Sequence, residues 1–386
     1  MLTCGLLVLI NWKLHSYFAQ VRPLTGPQKA SRDHVHDRLL IIVVLTVDVM
    51  ASSGFYIPSV DIAPFIHDPS SDAAKGVIEK VRKACLSTGF FQIFGHGVPK
   101  HVQGSAFDAA ATFFSLPADT KLSLQAGPST GFKGYERLEG QSYSHDIKAD
   151  MKEGFTMSTD YHEEHHLRTP LNGRPRFLTT PNIWPTVNIM TNAEEFRASL
   201  EAYQEAMVTL RGHVLRLIAA TLPYGPHVFD EMDQEPACPL RYLHYPPMRD
   251  GTDTVKQQGA SAHTDFSAVT MLLQGQQDGL EVLDYDTGEW HLVPPNPDAY
   301  VINLGDMMAK LLRGQYKSSM HRVINRAKTD RYSIVYFWDG NRDFELRPLD
   351  GTEADQKHMT CEEYMFDRLK FSFGRHEEKP EIKAQY

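Results

Sequence analysis

The chain is poor in cysteine, with Cys4, Cys85, Cys238 and Cys361 as its four cysteines in 386 residues. No two of them have the C-x-x-C spacing, and long stretches of sequence separate each from the next. This scattering argues against a disulfide-bonded scaffold and against a cysteine-based zinc site. Ordinary free thiols are typical of a reducing compartment, so we expect a cytoplasmic protein.

Long apolar runs and an excess of positive charge are also missing. The apolar runs Leu6–Ile10 and Leu39–Val47 are far shorter than the roughly 18 to 20 residues of a membrane helix. The first run has no preceding basic region, so it makes a poor signal peptide. The net charge of −9, without a strongly basic stretch, argues against nucleic-acid binding. We therefore expect no stable membrane insertion and no nucleic-acid partner.

The first 49 residues differ from the rest, because their two apolar runs enclose a polar and partly basic stretch. Met50 is followed by Ala-Ser-Ser-Gly, which would suit a translation start. We interpret residues 1–49 as a dispensable extension or a non-native start. A weak membrane anchor is the alternative.

The part of the chain after Pro239 is rich in short β-prone runs with turn residues between some of them. The eight predicted strands are Leu240–Tyr245, Ser261–Phe266, Val269–Gln274, Leu280–Tyr285, Glu289–Val293, Ala299–Leu304, Met320–Asn325 and Arg331–Trp338. Eight short strands with turn signals are typical of a sandwich or jelly roll. The sequence therefore predicts a mainly β core within an α+β fold.

Helices are predicted before this region. Apolar residues recurring every four positions predict a helix from Ser71 to Thr88, and a second is expected from Pro99 to about Phe114. The longest runs from about Ala193 to Leu222 with one continuous apolar stripe, and we expect it to lie against a sheet. Asn192 and Glu195 resemble a capping box at its start.

These patterns divide the chain into five parts. They are an extension at 1–55, an amino-terminal region at 56–185, a long supporting helix with a linker at 186–235, a jelly-roll domain at 236–345, and a helical tail at 346–386. Residues 126–185 are rich in Gly, Pro and charge, so we expect loops there. A final short helix is predicted from Cys361 to about Phe373.

The most informative pattern is the triplet His263-Thr264-Asp265 with His321 further along the chain. Alternate residues of a strand point to the same side, so His263 and Asp265 can face one metal. His321 would then come from another strand. Two imidazoles and one carboxylate form the facial triad that suits non-haem Fe(II) and leaves coordination positions open.

Arg331 and Ser333 follow this histidine and would share one face of a strand. A guanidinium is a planar bidentate donor for a carboxylate, and the serine hydroxyl adds another donor. Tyr245 could donate its hydroxyl to the same ligand. The alternatives are a structural salt bridge for Arg331 and core packing for Tyr245. The pattern indicates an oxygenase that binds an acidic cosubstrate beside the metal.

A second histidine pattern, His162-Glu163-Glu164-His165-His166, matches the H-E-x-x-H motif of zinc proteases. That motif needs a stable helix to bring both histidines to one face. Acidic residues crowd this segment, Pro170 follows, and no apolar stripe supports a helix. We interpret it as a solvated charged loop.

From about Ile57 to Asn341 the chain resembles the Fe(II)- and 2-oxoglutarate-dependent oxygenases, in the isopenicillin N synthase-like branch. The resemblance rests on Ile57-Pro58-Ser59-Val60-Asp61, Gly89-Phe90-Phe91-Gln92-Ile93, His96-Gly97-Val98, Asp150-Met151-Lys152-Glu153-Gly154-Phe155, His263-Thr264-Asp265, Gly279-Leu280-Glu281-Val282, Asn303-Leu304-Gly305-Asp306, His321-Arg322-Val323 and Arg331-Tyr332-Ser333. It implies a double-stranded β-helix (jelly roll) flanked by helices.

The resemblance also implies roles for single residues. Iron would be bound by His263, Asp265 and His321. The distal carboxylate of 2-oxoglutarate would be held by Arg331 and Ser333, with Tyr245 assisting. Substrate contacts would come from Phe337, Asp339, Arg241 and the segment around Phe155. Apart from the resemblance, the aromatic candidates Tyr135, Phe155 and Phe337 suggest an apolar or ring-containing substrate. One departure is Leu243, which stands where plant relatives often have asparagine, so one polar contact to the cosubstrate is expected to be absent.

The implied activity is that of a dioxygenase using Fe(II), 2-oxoglutarate and O₂, with ascorbate as reductant. Succinate and CO₂ would accompany hydroxylation, desaturation or ring formation on a small specialised-metabolite substrate, and the enzyme is expected to be a monomer. Two alternatives stay open: an oxidase of the isopenicillin N synthase type that does not use 2-oxoglutarate, and a binding protein on an inactive oxygenase scaffold.

Overall fold

Two β-sheets of unequal size form the centre of the protein. The computed structural model describes residues 55–143, 147–249, 251–353 and 355–373. These residues fall within one unit, Ser52–Tyr386. The predictions for residues 1–49 lie outside the described residues.

Helices and strands alternate in the first half of the described chain, and strands dominate the second half. In chain order they are β1 (Ser59–Asp61), α1 (Ala63–His67), α2 (Asp72–Ser87), β2 (Phe90–Phe94), α3 (Lys100–Phe114), α4 (Ala118–Leu122), β3 (Gly134–Glu136), β4 (Glu153–Met157), α5 (Ala193–Ala220), β5 (Leu240–Tyr245), β6 (Ala260–His263), β7 (Val269–Gln274), β8 (Leu280–Leu283), β9 (Trp290–Leu292), β10 (Tyr300–Leu304), α6 (Asp306–Leu311), β11 (His321–Val323), β12 (Arg331–Trp338) and α7 (Cys361–Phe373). Short 3₁₀ turns occur at Pro128–Thr130 and His166–Arg168.

The large sheet has eight strands in the order β1-β2-β10-β7-β12-β5-β4-β3, and the small sheet has four in the order β6-β11-β8-β9. All pairs are antiparallel except β1 with β2. Strands adjacent in the large sheet are distant in sequence, as a jelly roll requires. This arrangement confirms the predicted double-stranded β-helix flanked by helices.

The large sheet is covered on both faces, and its side chains divide accordingly. In β12, Ile334, Tyr336 and Trp338 join the main core with the helices, whereas Val335 joins a smaller core. That smaller core also contains Leu280 and Val323 from the small sheet, so it lies between the two sheets. Because successive side chains of a strand alternate between faces, Arg331 and Ser333 share the face of Val335.

Helix α5 supports the helical face of the large sheet, as its apolar stripe predicts. Its residues Leu200, Tyr203 and Met207 are buried in the main core, and the Tyr203 hydroxyl donates to the Tyr300 hydroxyl of β10 at 3.1 Å. The predicted capping box is wrong, because the Asn192 side chain makes no capping hydrogen bond. Asn192 has φ −100° and ψ 37°, outside the extended conformation that a capping side chain normally needs.

Residues 126–185 contain more structure than we predicted. Strands β3 and β4 lie within this stretch and extend the large sheet beyond β5. All five residues of β4 are buried, although the strand contains Glu153 and Gly154. The prediction of loops fails here because β4 is stabilised by pairing with β5, about 90 residues away, rather than by its own composition.

Two other expectations concern the pairing of the cysteines and the presence of membrane-spanning helices. Cys85, Cys238 and Cys361 are free and buried, and Cys4 lies outside the described residues. Within the described ranges, none of the helices combines the length and hydropathy needed to cross a membrane.

Candidate metal and cosubstrate site

The predicted triad comes together at the edge of the small sheet. His263 ends β6 and His321 begins β11, and the two residues are direct partners in the antiparallel pairing of these strands. The Asp265 Oδ1 atom lies 3.7 Å from His263 Nε2 and 3.6 Å from His321 Nε2. All three ligand atoms lie within 4.8 Å of one another, so one metal ion could contact them together.

The backbone fixes which nitrogen of each imidazole faces this point. His263 Nδ1 lies 2.7 Å from the Ser261 carbonyl oxygen, and His321 Nδ1 lies 3.1 Å from the Ser319 carbonyl oxygen. A carbonyl oxygen only accepts, so Nδ1 must carry the proton and donate. The lone pair of each neutral ring is therefore on Nε2, the atom directed at the carboxylate, which is the arrangement of a metal ligand.

The Asp265 carboxylate is oriented by two donors from the large sheet. Thr270 Oγ1 donates to Asp265 Oδ2 at 2.6 Å, and Asn303 Nδ2 donates to the same oxygen at 2.7 Å. Thr270 and Asn303 are register partners on β7 and β10. Oδ2 is thus occupied, which leaves Oδ1 for a metal. The sequence prediction missed both donors, although a polar residue inside an otherwise apolar strand is a usable signal.

The prediction that Asp265 lies on a strand is wrong. Strand β6 ends at His263, and Asp265 lies in the loop that follows. The loop is held by the start of α6, where the Asp306 backbone N–H donates to the Asp265 carbonyl at 2.8 Å and Thr264 Oγ1 donates to Asp306 Oδ2 at 3.1 Å. Strand alternation therefore does not bring His263 and Asp265 together; these loop contacts do.

Electrostatics at the triad favour a neutral His263 imidazole and an ionised Asp265 carboxylate. Burial, reinforced by His321, lowers the pKa of His263 to about 3. For Asp265, burial alone would raise the pKa, but the two histidines and the hydrogen bonds from Asn303 and Thr270 outweigh it and hold the pKa below its usual value. Both protonation states are those that metal binding requires.

A small cavity connects the triad with Arg331, Ser333 and Tyr245. Arg331 is 1% exposed, and its Cζ lies 4.9 Å from the centre of the Tyr245 ring. Its Nη2 donates to Gln274 Oε1 at 3.2 Å, whereas Nε and Nη1 have no hydrogen-bond partner among the described residues. A buried cation with two unused donors lacks the anion that normally accompanies it.

The other two cations of this cavity are already paired. Lys152 forms a buried ion pair with Asp150, and Arg241 forms one with Glu136. Among the cations that line the described cavity, Arg331 is therefore the one without an anionic partner. An acidic ligand extending from Arg331 towards the triad would supply the missing charge, so the residues present fit 2-oxoglutarate.

A second, larger cavity of about 690 Å³ meets the triad from another side. Of the predicted substrate residues, Tyr135, Arg241, Phe337 and Asp339 line it. Phe155 is not among the lining residues, because it is buried in the main core, where its ring packs against Phe113, Phe196 and Trp184.

Tyr143 separates the two cavities and was not predicted from the sequence. It lines both, and its ring stacks on His263 with centroids 4.1 Å apart and an angle of 5° between planes. Tyr143 lies 120 residues before His263, in a stretch without β or helical periodicity. The stacked ring covers the metal ligand and limits its rotation.

A second cluster of possible metal ligands involves His165, His166 and Glu235. The Nε2 atoms of His165 and His166 lie 3.0 and 3.2 Å from the two Glu235 carboxylate oxygens. The predicted charged loop at His162–His166 does not fold as an α-helix, and the H-E-x-x-H pair is not the pair that assembles. His165 Nδ1 accepts the Leu167 backbone N–H at 3.3 Å.

Comparison with family models matches two regions of the chain. Residues 57–187 match the model described as non-haem dioxygenase in morphine synthesis N-terminal, and residues 234–340 match the 2OG-Fe(II) oxygenase superfamily. The second match contains the triad, Arg331 and Ser333.

Curated relatives extend over most of the chain. The 2-oxoglutarate-dependent dioxygenase citB of Monascus ruber is 52% identical over 332 residues, which cover 84% of this chain and 98% of that protein. The clavatol oxidase claD of Penicillium crustosum is 46% identical over 340 residues, covering 84% of this chain and 99% of that protein.

Solved structures have the same fold. A full-length Neurospora crassa protein crystallised in complex with alpha-KG matches with a TM-score of 0.69 and 22% identity, over 82% of this chain and 97% of that chain. A 2OG-Fe(II) oxygenase family protein from Caulobacter crescentus matches with a TM-score of 0.67 and 28% identity, over 82% of this chain and 99% of that chain.

Proposed function

Because this chain belongs to the 2OG-Fe(II) oxygenase superfamily, we propose that His263, Asp265 and His321 bind its catalytic iron. The enzyme is a 2-oxoglutarate-dependent dioxygenase that uses Fe(II), 2-oxoglutarate and O₂. The assignment of the ligands is supported by the two Nε2 lone pairs and the free Oδ1, which converge on one point. Three protein ligands leave further coordination positions for the cosubstrates.

Arg331 and Ser333 are proposed to hold the distal carboxylate of 2-oxoglutarate, with Tyr245 beside them. The observation that carries this proposal is the buried Arg331 guanidinium, whose Nε and Nη1 lack partners within the described part of the chain. Leu243 is buried in the wall of the same cavity. The cosubstrate would therefore contact an apolar side chain at the position where some plant relatives have the amide of an asparagine. The alternative that 2-oxoglutarate is not used gains no comparable support, since citB and similar relatives are named for this cosubstrate.

When bound, the iron and 2-oxoglutarate supply the oxidation of a substrate C–H bond, with succinate and CO₂ as co-products. The side chains of the protein position and protect the reactants. Arg331 neutralises a carboxylate in a buried site, Thr270 and Asn303 keep Asp265 Oδ1 available, and Tyr143 covers His263.

The large cavity is proposed to bind the organic substrate, with contacts from Tyr135, Arg241, Phe337 and Asp339. Phe155 is not proposed as a substrate contact, because its side chain packs in the main core. The names of the relatives connect one of them, claD, with clavatol. A small specialised metabolite is the substrate class that we infer for this chain, and hydroxylation, desaturation and ring formation are the outcomes to distinguish.

The test is a product screen with purified protein, Fe(II), ascorbate and 2-oxoglutarate against candidate metabolites. We expect succinate to form in a 2-oxoglutarate-dependent reaction and one metabolite to be oxidised with it. Asp265→Ala should abolish both iron binding and turnover. Substrate oxidation without succinate would favour the isopenicillin N synthase type, and an active Asp265→Ala variant would remove Asp265 from the triad.

We also propose a cellular compartment, an oligomeric state and a division of the chain into parts. The free, buried cysteines favour a reducing compartment such as the cytoplasm. A monomer is proposed because the exposed large apolar side chains of the described ranges come from separate stretches, and sedimentation equilibrium would test it. The five-part division is retained, with support from family matches that end near residue 187 and start again at 234.

A further inference from the structure

Asp339 is a buried carboxyl group for which the protein provides no partner. It follows directly after β12, is 1% exposed, and lines the large cavity together with the metal ligands His263 and Asp265. Both carboxyl oxygens lack a hydrogen-bond partner among the described residues. Buried polar groups are almost always paired, so an unpaired one facing a cavity indicates a ligand that completes it.

The surroundings of Asp339 indicate which kind of ligand group would supply its missing hydrogen-bond partner. Burial raises its pKa to about 8, an effect that Arg342 opposes and Asp265 reinforces. Arg342 forms no hydrogen bond with Asp339: its Nε donates to the Phe177 carbonyl, its Nη1 donates to the Glu235 carbonyl, and its Nη2 has no partner among the described residues. A neutral carboxyl group both donates and accepts, and a hydroxyl group is its natural counterpart.

Charged ligands are disfavoured at this depth. The guanidinium of Arg241, the cation expected to contact substrate, is paired with Glu136 and also donates to Gln141 Oε1 at 3.3 Å. A ligand carboxylate here would meet Asp339 and Asp265 without a free cation to balance it. Arg137, Arg174 and Lys370 also line this cavity, but Arg137 and Lys370 are exposed to water, and Arg174 is half-buried with its guanidinium 3.1 Å from the centre of the Phe366 ring. The inner part of the cavity therefore favours an uncharged molecule.

The walls of the cavity favour a ring. Seven phenylalanine and tyrosine side chains line it, among them Tyr135, Tyr143, Phe266 and Phe337. Aromatic walls stabilise planar apolar ligands through stacked and edge-to-face contacts. A volume of about 690 Å³ is sufficient for a small molecule of several rings.

We propose that Asp339 binds a hydroxyl group of an uncharged, ring-bearing substrate and so selects hydroxylated rings at this active site. The proposal rests on the proposed function, since it assigns the substrate class of the same iron site. A site that hydrogen-bonds a substrate hydroxyl discriminates strongly against analogues without it, because the buried partner is then left unpaired.

The experiment measures binding of matched ring compounds to the anaerobic enzyme loaded with Fe(II) and 2-oxoglutarate. The probes are 2-naphthol, 2-methoxynaphthalene and 2-naphthoate, which differ in hydrogen-bond donation and charge. We expect wild type to bind 2-naphthol at least about tenfold more tightly than either of the other probes. Asp339→Leu should remove this preference, whereas Asp339→Asn, which can still donate and accept, should retain it in part.

Asp367→Asn is the matched control, because Asp367 is an exposed carboxylate on the same cavity and should leave the preference unchanged. The proposal is overturned if wild type shows no preference for 2-naphthol, if 2-naphthoate binds most tightly, or if Asp339→Leu keeps the wild-type ratio. Thermal melts establish that each variant is folded, and Asp339→Asn provides the comparison if Asp339→Leu is not. The affinity of wild type for 2-oxoglutarate, measured separately, reports whether the proposed function itself fails.

Discussion

The hydrogen bond from Thr270 to the Asp265 carboxylate can be removed almost without changing the shape of the site. Thr270 Oγ1 lies 2.6 Å from Asp265 Oδ2, and the Thr270 hydroxyl has Ser267 Oγ as its other neighbour at 3.0 Å. Valine has nearly the same shape but no donor. In Thr270→Val, Oδ2 keeps only the Asn303 amide at 2.7 Å, so the carboxylate is less firmly oriented and Oδ1 is less available.

The size of the effect follows from the charge of the acceptor. A hydrogen bond to an ionised group contributes about 1.5 to 3 kcal/mol. Since about 1.4 kcal/mol corresponds to a tenfold change in affinity, we expect Thr270→Val to weaken Fe(II) binding about 10- to 100-fold. Calorimetric titration of the anaerobic protein with Fe(II) measures this change in affinity directly and does not require the substrate.

Thr270→Ser is the control, because it keeps the hydroxyl and should bind Fe(II) within about threefold of wild type. Both variants should melt as cooperatively as wild type, which would exclude a general loss of structure. If Thr270→Val bound Fe(II) as tightly as wild type, the view that the large sheet orients Asp265 would be refuted.

Four other substitutions test separate parts of the structure. Arg331→Met should weaken 2-oxoglutarate binding about 100-fold in calorimetry, because it removes the buried cation, and an unchanged affinity would contradict its role. Gly305→Ala should lower both the melting temperature and Fe(II) affinity, because its Cβ would lie 2.2 Å from the Ser267 carbonyl oxygen. By contrast Gly104→Ala, in a helix with free space around it, should stabilise by about 0.5 to 1 kcal/mol. Burial lowers the pKa of Lys133 from 10.5 to about 7, so its charge destabilises the fold below pH 7 and this cost disappears as the pH rises towards 10. Lys133→Met should therefore raise the melting temperature most at pH 6 and least at pH 10, and a pH-independent difference would contradict this reasoning.

Strands of mainly apolar and aromatic composition could be predicted from the sequence to the residue. Strands β5, β7 and β12 begin and end where we predicted, and α7 does as well. Each of these strands lies inside the large sheet with both faces covered, so most of its positions carry an apolar or aromatic side chain. In these strands the local composition and the buried environment both favour a strand, so the sequence alone predicts their bounds.

Prediction failed where an element depends on distant partners. Strands β3 and β4 contain Gly and Glu; β4 becomes a strand by pairing with β5, and β3 by pairing with β4. Helix α6 has only six residues and follows the tight approach of Gly305 to the loop after β6. At the site, the spacing and the family resemblance predicted the three residues proposed as metal ligands, whereas Thr270, Asn303 and Tyr143 are brought to them only by the folded sheets and loops.

Among the described residues, the triad and the cluster of His165, His166 and Glu235 differ in their backbone neighbours rather than in residue type. At the triad, carbonyl oxygens accept from Nδ1 of both His263 and His321, so each Nε2 can donate its lone pair to a metal. At the other cluster, the Leu167 backbone N–H donates a hydrogen bond to His165 Nδ1. The proton of the neutral ring is therefore on Nε2, and this N–H group donates a hydrogen bond to Glu235. Metal binding there would require reversing that tautomer and breaking the bond from Leu167. The same residue types therefore form the proposed metal site in one place and a hydrogen-bonded pair in the other, which explains why the H-E-x-x-H spacing alone is a poor guide.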